Sequence, residues 1–265
     1  MIFISFGSGS SGNCYYIHAD HYGILIDLGI GIRKFKKAFK DYGFIFPEIK
    51  AILVTHEHTD HIKAVGVLAN ELHIPVYATK CVHQGIMHNV RVQNKVAPTL
   101  ICDFEHDTSV QLGPFDVTSF KIPHDSADNS GYFIRYADTN LCLITDVGHI
   151  NEPMKYYISK SINLVVEANY DERLLEQGPY PYYLKQRIRS ENGHMSNEVL
   201  AQYLAAHANP DLQNLWLCHL SEENNRPDIA RQTIVHAFSE SGWPEQSLNR
   251  IVPLNRKIPS GPYSL

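Results

Sequence analysis

Hydrophobic positions along the chain fall into short, separated blocks. Residues 2–6, 14–17 and 24–27 are apolar runs bounded by Gly- and Ser-rich turns, and they predict three strands. Ile32, Phe35, Phe39 and Tyr42 then recur at helical spacing, with Arg33, Lys36, Lys37 and Lys40 on the other side of the same helix. Residues 51–54 form a continuous apolar run of the kind found in buried strands. Ile62, Val65, Ala69 and Leu72 follow as the inward stripe of a helix. Further strands are predicted at 76–78, in several segments between 100 and 122, and at 132–136, 141–144 and 163–166. In the last third, 197–206 reads as a helix turning Leu200, Tyr203 and Leu204 inward, 215–218 as a strand, and Pro227 as the opening of a helix with Ala230, Ile234 and Phe238 on one face. This order, β-rich with interspersed helices and then the same again, predicts an α/β (α+β) fold: two sheets packed together under helices, an αββα sandwich. A length of 265 residues suits one such domain over 1–265.

Composition narrows the picture in three ways. No apolar run approaches the ~20 residues of a membrane span, and the first residues lack the basic start and long apolar stretch of a signal peptide. The cysteines, Cys14, Cys81, Cys102, Cys142 and Cys218, are dispersed and form no CxxC pair, which predicts reduced thiols and a cytoplasmic protein. A formal net charge of −5 gives no overall basic field, so a polyanion would have to be held by a local patch or by metal ions. The fifteen histidines matter most, because imidazole is the commonest metal-binding side chain.

They cluster. Thr55-His56-Glu57-His58-Thr59-Asp60-His61 lies between the buried strand at 51–54 and the helix from Ile62. Side chains at the carboxyl end of a buried strand point into a crevice, and three imidazoles with a carboxylate are costly to gather there without a cation. Single candidates also follow other apolar strands: Asp27 after Ile24-Leu25-Ile26, His124 after Phe120-Lys121-Ile122-Pro123, Asp146 after Leu143-Ile144-Thr145, and His219 after Trp216-Leu217-Cys218.

An HxHxDH motif after an apolar strand, preceded by Ile26-Asp27-Leu28-Gly29 and followed by single His, Asp and His strand ends, resembles the metallo-β-lactamase superfamily. The resemblance implies a hydrolase with two divalent ions, Zn or Mn, with Fe also compatible with imidazole and carboxylate donors. It assigns His56, His58 and His124 to one ion, Asp60, His61 and His219 to the other, and Asp146 as the bridge. Asp27 would orient the motif without binding metal. The opening Gly7-Ser8-Gly9-Ser10-Ser11-Gly12-Asn13, the segment Asn192-Gly193-His194-Met195-Ser196-Asn197 and the run His219-Leu220-Ser221-Glu222-Glu223-Asn224-Asn225 resemble the YycJ/VicX/WalJ group, and more distantly RNase Z and RNase J. That likeness implies a 5′-to-3′ exonuclease acting on DNA, with RNA as a second option. The short stretch from Asp146 to His219 leaves no room for the large inserted domain of the RNase J type.

Leu164-Val165-Val166-Glu167-Ala168-Asn169 together with His194-Met195-Ser196 resembles the Glu and His loops of RNase Z-like phosphodiesterases. The implied roles are a hydroxide supplied by the two ions for attack on phosphorus, Asp60 orienting it, and a Glu167–His194 relay that protonates the leaving oxygen. Asn169 is a departure, since Thr usually stands there. Candidate substrate contacts are Ser8, Ser10 and Asn13 in the Ser-rich loop, Arg187 and Arg189 in the Tyr-rich loop 180–189, and Ser221 and Asn225. The other nine histidines read as surface or packing residues, with His149 the nearest to a candidate ligand. The alternative on the same site is a small-molecule hydrolase: a thioesterase of glyoxalase II type, a lactonase or a cyclic-phosphate phosphodiesterase. Fold alone does not choose between these.

Overall fold

A computed structural model describes all residues 1–265. In chain order its elements are β1 (Ile2–Gly7), β2 (Cys14–Ala19), β3 (Tyr22–Ile26), α1 (Ile32–Asp41), β4 (Ile49–Leu53), α2 (Thr59–Ile62), α3 (Val65–Leu72), β5 (Val76–Ala78), α4 (Lys80–His88), β6 (Ile101–Asp103), β7 (Ser109–Leu112) and β8 (Phe115–Lys121). There follow β9 (Ser130–Tyr136), β10 (Thr139–Ile144), α5 (Glu152–Lys160), β11 (Asn163–Glu167), α6 (Glu172–Gln177), α7 (Tyr182–Arg189), α8 (Asn197–His207), β12 (Asn214–Cys218), α9 (Pro227–Glu240), α10 (Glu245–Leu248), β13 (Ile251–Pro253) and β14 (Ser260–Ser264). The strands make two seven-stranded sheets, ordered β14-β1-β2-β3-β4-β5-β6 and β13-β12-β11-β10-β9-β8-β7. By their internal contacts the residues divide into a first unit, 1–119 with 126–130 and 255–265, and a second, 120–125 with 131–254.

In the first unit, β1 to β3 run antiparallel and β3 to β6 parallel. The central strands β3 and β4 are buried on both faces, which is why 24–26 and 51–53 read as continuous apolar runs rather than alternating ones. Phe35 and Phe39 of α1, Leu68 and Ala69 of α3, and Val82 and Ile86 of α4 pack with Ile4, Phe6, Tyr16, Leu25 and Ile52 into one core. The single helix expected from Ile62 is broken into α2 and α3 at Lys63-Ala64, where Ala64 leaves helical geometry.

In the second unit, β10 to β13 are parallel and β9 pairs antiparallel with β10. Helices α5, α8 and α9 bring Met154, Ile158, Leu200, Leu204, Ile234 and Phe238 onto Cys142, Ile144, Leu164, Val166, Leu215 and Leu217. The stretch 182–189, expected as a loop, is the helix α7; only Ile188 is buried on it, so it carries no apolar stripe from which to read it. Strand β14 was also unread: Pro262 removes a donor, which only an edge strand tolerates, and β14 is the edge of its sheet. No helix is long and apolar enough to cross a membrane.

Among the eight non-glycine residues with left-handed backbone are three that follow strands of the two sheets at candidate site positions: Asp27 after β3 (φ 59°), Asp146 after β10 (φ 56°) and His219 after β12 (φ 52°). Such conformations cost about 1–3 kcal/mol each and persist where the surroundings enforce them. All three are residues singled out from the sequence as site candidates.

Candidate metal centre

In the first unit the motif 55–61 turns sharply out of β4 into α2, and a buried carboxylate organises it. Asp27 accepts from the backbone N–H of Thr55 (2.8 Å), from Thr55 Oγ1 (2.8 Å) and from His61 Nδ1 (2.7 Å). Burial pushes the Asp27 carboxyl above its ordinary value, and these donors oppose that rise by favouring the charged form. Because His61 Nδ1 donates to Asp27, Nε2 is the nitrogen left with a lone pair. Thr55 Oγ1 gives its proton to Asp27 and so can accept from His56 Nδ1 at 3.0 Å, which likewise leaves His56 Nε2 to face outward. His56 Nε2 lies 3.0 Å from His58 Nδ1, and the His56 ring centroid is 4.1 Å from that of His61. Asp60 Oδ2 is 3.7 Å from His61 Nε2. Donor nitrogens from three imidazoles thus converge beside a carboxylate.

The surrounding loops are drawn tight to the motif. Asn13 N–H donates to the Asp60 carbonyl (2.7 Å), Leu28 N–H to the His61 carbonyl (2.7 Å), and Gly29 N–H to the Asn13 carbonyl (2.8 Å). Residue 29 has to be glycine, since a Cβ there would lie 1.5 Å from the Asp60 carbonyl oxygen.

In the second unit the organising carboxylate is Glu167, at the end of β11 and fully buried. Its Oε2 accepts from the backbone N–H of Val147 (2.8 Å) and Met195 (3.2 Å). Its Oε1 accepts from His194 Nδ1 (2.8 Å), His219 Nδ1 (3.0 Å) and Asn169 Nδ2 (3.3 Å). Burial alone would raise the Glu167 pKa, but the His194 charge and the hydrogen bonds from His194 and His219 outweigh it and bring it to about 2. The same pairing overcomes the burial of His194 and raises its pKa. Both imidazoles present Nε2 outward, and His219 Nε2 lies 3.4 Å from Asp146 Oδ1. The donor atoms of Asp146, Glu167, His194 and His219 all fall within 4.8 Å of one another.

His124 Nδ1 donates to the Gly193 carbonyl at 3.1 Å, so its Nε2 is also the free face. Burial pushes the His124 pKa below its ordinary value, which favours the neutral, metal-binding imidazole. A Cβ on Gly193 would lie 2.2 Å from the Ile188 carbonyl, so glycine is required for this carbonyl to reach His124. The His194 loop is pinned to the extension of β11: Asn169 N–H donates to the Met195 carbonyl (2.9 Å) and Asn197 N–H to the Tyr170 carbonyl (2.8 Å).

Every candidate ligand therefore lies in one of two clusters: His56, His58, Asp60 and His61 with Asp27 in the first unit, and His124, Asp146 and His219 with Glu167 and His194 in the second. Convergent imidazole nitrogens, with the far nitrogens of His56, His61, His124, His194 and His219 held by a hydroxyl, carboxylate or carbonyl, are the kind of donor set that divalent ions require. The sequence offered no reason to single out Thr55, whose hydroxyl joins Asp27 to His56; a Thr heading the motif was the available sign. Asn169, the departure from the RNase Z pattern, donates to Glu167 and to the His219 carbonyl (2.8 Å).

The candidate substrate contacts separate into two kinds. Ser8, Asn13 and Asn225 are buried and bonded within the scaffold, to Tyr15, to Gly9 and to Ala168 and Asn197 respectively. Ser221 accepts from the Asn224 N–H. Arg187 pairs with Asp125, and Arg189 with Glu172 and Glu176. Ser10 alone of the set is exposed without such a commitment. His149 bonds the Glu191 carbonyl and joins neither cluster.

The beta-lactamase superfamily domain matches residues 22–220. The chain belongs to the beta-lactamase superfamily. Among its relatives within that superfamily, the "Exodeoxyribonuclease YycJ" of Bacillus anthracis is 32% identical over 256 residues, which is 96% of this chain and 95% of that protein. The "Exodeoxyribonuclease WalJ" of Streptococcus pneumoniae serotype 2 is 33% identical over 234 residues, 88% of this chain and 87% of that one. The crystal structure of the metallo-beta-lactamase fold protein YhfI from Bacillus subtilis matches with a TM-score of 0.70 at 18% identity, covering 98% of this chain and 100% of that chain. That likeness establishes the fold expected from the sequence, with two sheets flanked by helices.

Proposed function

We propose that this chain is a cytoplasmic, divalent-metal-dependent 5′-to-3′ exodeoxyribonuclease, with RNA as the second substrate to test. The observation that carries the reading is the Glu167–His194 pair. A buried, charged Glu167 holds Nδ1 of His194 at 2.8 Å, while the imidazole itself is 24% exposed. A cation held this way has its Nε2 proton to give, and the raised pKa favours the protonated form. Hydrolysis of a phosphodiester needs such a donor, because the leaving 3′-oxygen is strongly basic. In the step proposed, hydroxide derived from water bonds to phosphorus, the bond from phosphorus to the 3′-oxygen breaks, that oxygen takes the Nε2 proton, and His194 becomes neutral.

The seven side chains assigned above, His56, His58, Asp60, His61, His124, Asp146 and His219, are proposed to hold two divalent ions, Zn or Mn, with Fe compatible. When bound, such ions make water a competent nucleophile near neutral pH and offset charge on the phosphate. Asp27 sets which nitrogen His61 offers and, through Thr55, that of His56; Glu167 does so for His194 and His219, and the Gly193 carbonyl for His124. Residues 1–265 are proposed to form one functional domain. All five cysteines are free thiols, in keeping with a cytoplasmic site of action.

The test is release of nucleotides from 5′-labelled single- and double-stranded DNA in Mn²⁺ and, separately, in Zn²⁺, with Asp60→Ala and His194→Ala alongside. Release by the wild type, lost in Asp60→Ala and strongly reduced in His194→Ala, supports the reading. Intact DNA and RNA with turnover of a thioester, lactone or cyclic phosphate would replace it with a small-molecule hydrolase.

A further inference from the structure

The cations nominated from the sequence for substrate binding are neutralised by carboxylates, whereas two that were not nominated have no partner. Lys63 and Arg91 are exposed, and neither side chain makes an ion pair or a hydrogen bond within the protein. Both line one pocket of about 250 Å³ in the first unit, with Ser10, Ser11, Gly29 and Thr59, and the carboxylate of Asp60 at its side. That is roughly the liquid volume of eight waters, enough for a phosphate with part of its sugar.

The pocket is built from the same backbone that shapes the motif. Lys63 caps α2, its N–H bonded to the Thr59 carbonyl at 3.1 Å. Arg91 sits in a turn held by Asn89, whose Oδ1 accepts the Arg91 N–H (3.0 Å) and whose Nδ2 donates to the Glu57 carbonyl (3.1 Å) and Thr59 Oγ1 (3.4 Å). Ser10 and Ser11 ride on the 9–13 turn, closed by Gly12 N–H to the Gly9 carbonyl (2.8 Å) and tied to Asp60 through Asn13. Their hydroxyls make no hydrogen bond within the protein. Two unpaired cations of different geometry and two unused hydroxyls around one cavity form a receptor for a tetrahedral oxyanion. The Asp60 carboxylate would oppose an anion unless its charge is met by a metal ion, so the pocket suits an anion only when the proposed centre is loaded.

We propose that Lys63, Arg91, Ser10 and Ser11 form a phosphate subsite of the nuclease, seating a phosphate of the bound strand beside Asp60. This rests on the nuclease reading above. The group seated is either the 5′-terminal phosphate, which would count the enzyme's position from the strand end, or an internal backbone phosphate. One experiment separates the two.

Full-length protein loaded with Zn²⁺ is titrated, by fluorescence anisotropy, into a single-stranded oligonucleotide with phosphorothioate linkages, carrying either a 5′-phosphate or a 5′-hydroxyl. The wild type is compared with Lys63→Ala, Arg91→Ala and the double variant; both residues are exposed, so folding is not at issue. We expect the double variant to bind about tenfold more weakly and to lose about 0.7 from the slope of log K against log salt, the loss of one phosphate contact on a single strand. Weakening confined to the 5′-phosphorylated strand supports the terminal seat, and equal weakening on both strands supports the backbone seat. Unchanged affinity and slope on both strands would overturn the subsite while leaving the nuclease reading intact. Should the wild type bind neither strand, the nuclease reading fails, and inorganic phosphate titrated by calorimetry decides the pocket: binding lost in the double variant upholds an oxyanion site, and binding unaltered or absent removes it.

Discussion

The two units arrive at the same chemical device by different routes. In the first, one contiguous motif supplies His56, His58, Asp60 and His61, and Asp27 organises it through Thr55 and His61. In the second, His124, Asp146 and His219 come from the ends of three separate strands and His194 from a loop, and Glu167 holds His219 and His194 while accepting also from Asn169 and the Val147 and Met195 N–H groups. Each unit thus centres on one buried carboxylate that fixes imidazole tautomers. The difference is in what the carboxylate organises. Asp27 holds residues whose assigned task is to bind metal, whereas Glu167 holds one of those, His219, and also the proposed proton donor. Damage to the first cluster should remove metal, while damage to the second should separate metal binding from proton transfer.

The largest effect is expected from removing the ions. Chelation, or Asp60→Ala with its lost ligand, should reduce DNA cleavage to background, and Mn²⁺ or Zn²⁺ should rescue the chelated wild type but not the variant. His194→Ala comes next. Its cleavage rate should fall about 10²–10⁴-fold, the worth of a positioned general acid, with metal content unchanged when measured by elemental analysis. Asp27→Asn and Glu167→Gln should each cost about 10–100-fold in metal affinity or activity, because both remove the partner that orients an imidazole proposed to bind metal. Asp27→Asn should be largely rescued by raising the metal concentration, and Glu167→Gln should not, since it also strips His194 of its counter-charge. Equal rescue of the two would mean that the carboxylates do not differ in role.

The smallest effect is on stability. In the metal-free protein, the raised pKa of His194 makes its share of the ion pair full below the ordinary value of 6.5 and lost as pH rises through the folded value. The lowered pKa of Glu167 makes its share full above the ordinary value of 4.5 and lost as pH falls toward about 2. The pair should therefore contribute most between those two ordinary values. Denaturation midpoints of the metal-free wild type should show that plateau, and Glu167→Gln should flatten it.

The first cluster was legible because the chain writes it contiguously, between a continuous apolar strand and an amphipathic helix stripe. The strand-end candidates Asp27, Asp146 and His219 were legible for a related reason: each follows a buried apolar run at a turn. Their left-handed backbone was not, because no local residue type announces it. What the sequence could not convey is which polar groups are already committed. Arg187 and Arg189 looked like free cations beside a candidate proton donor, and the fold places Asp125, Glu172 and Glu176 against them. Lys63 and Arg91, separated along the chain and each unremarkable, meet at one pocket only through the Asn89 turn. Helix α7 escaped notice because its exposed tyrosines and charges leave a single buried position, Ile188.

The most direct test measures bound metal per chain and nucleotide release from 5′-labelled DNA on the same samples of wild type and His194→Ala. Two divalent ions are expected in both proteins, with cleavage lost, by about 10²-fold or more, in the variant alone. Wild-type cleavage by His194→Ala, or a doubly loaded wild type that leaves DNA intact, would contradict this expectation.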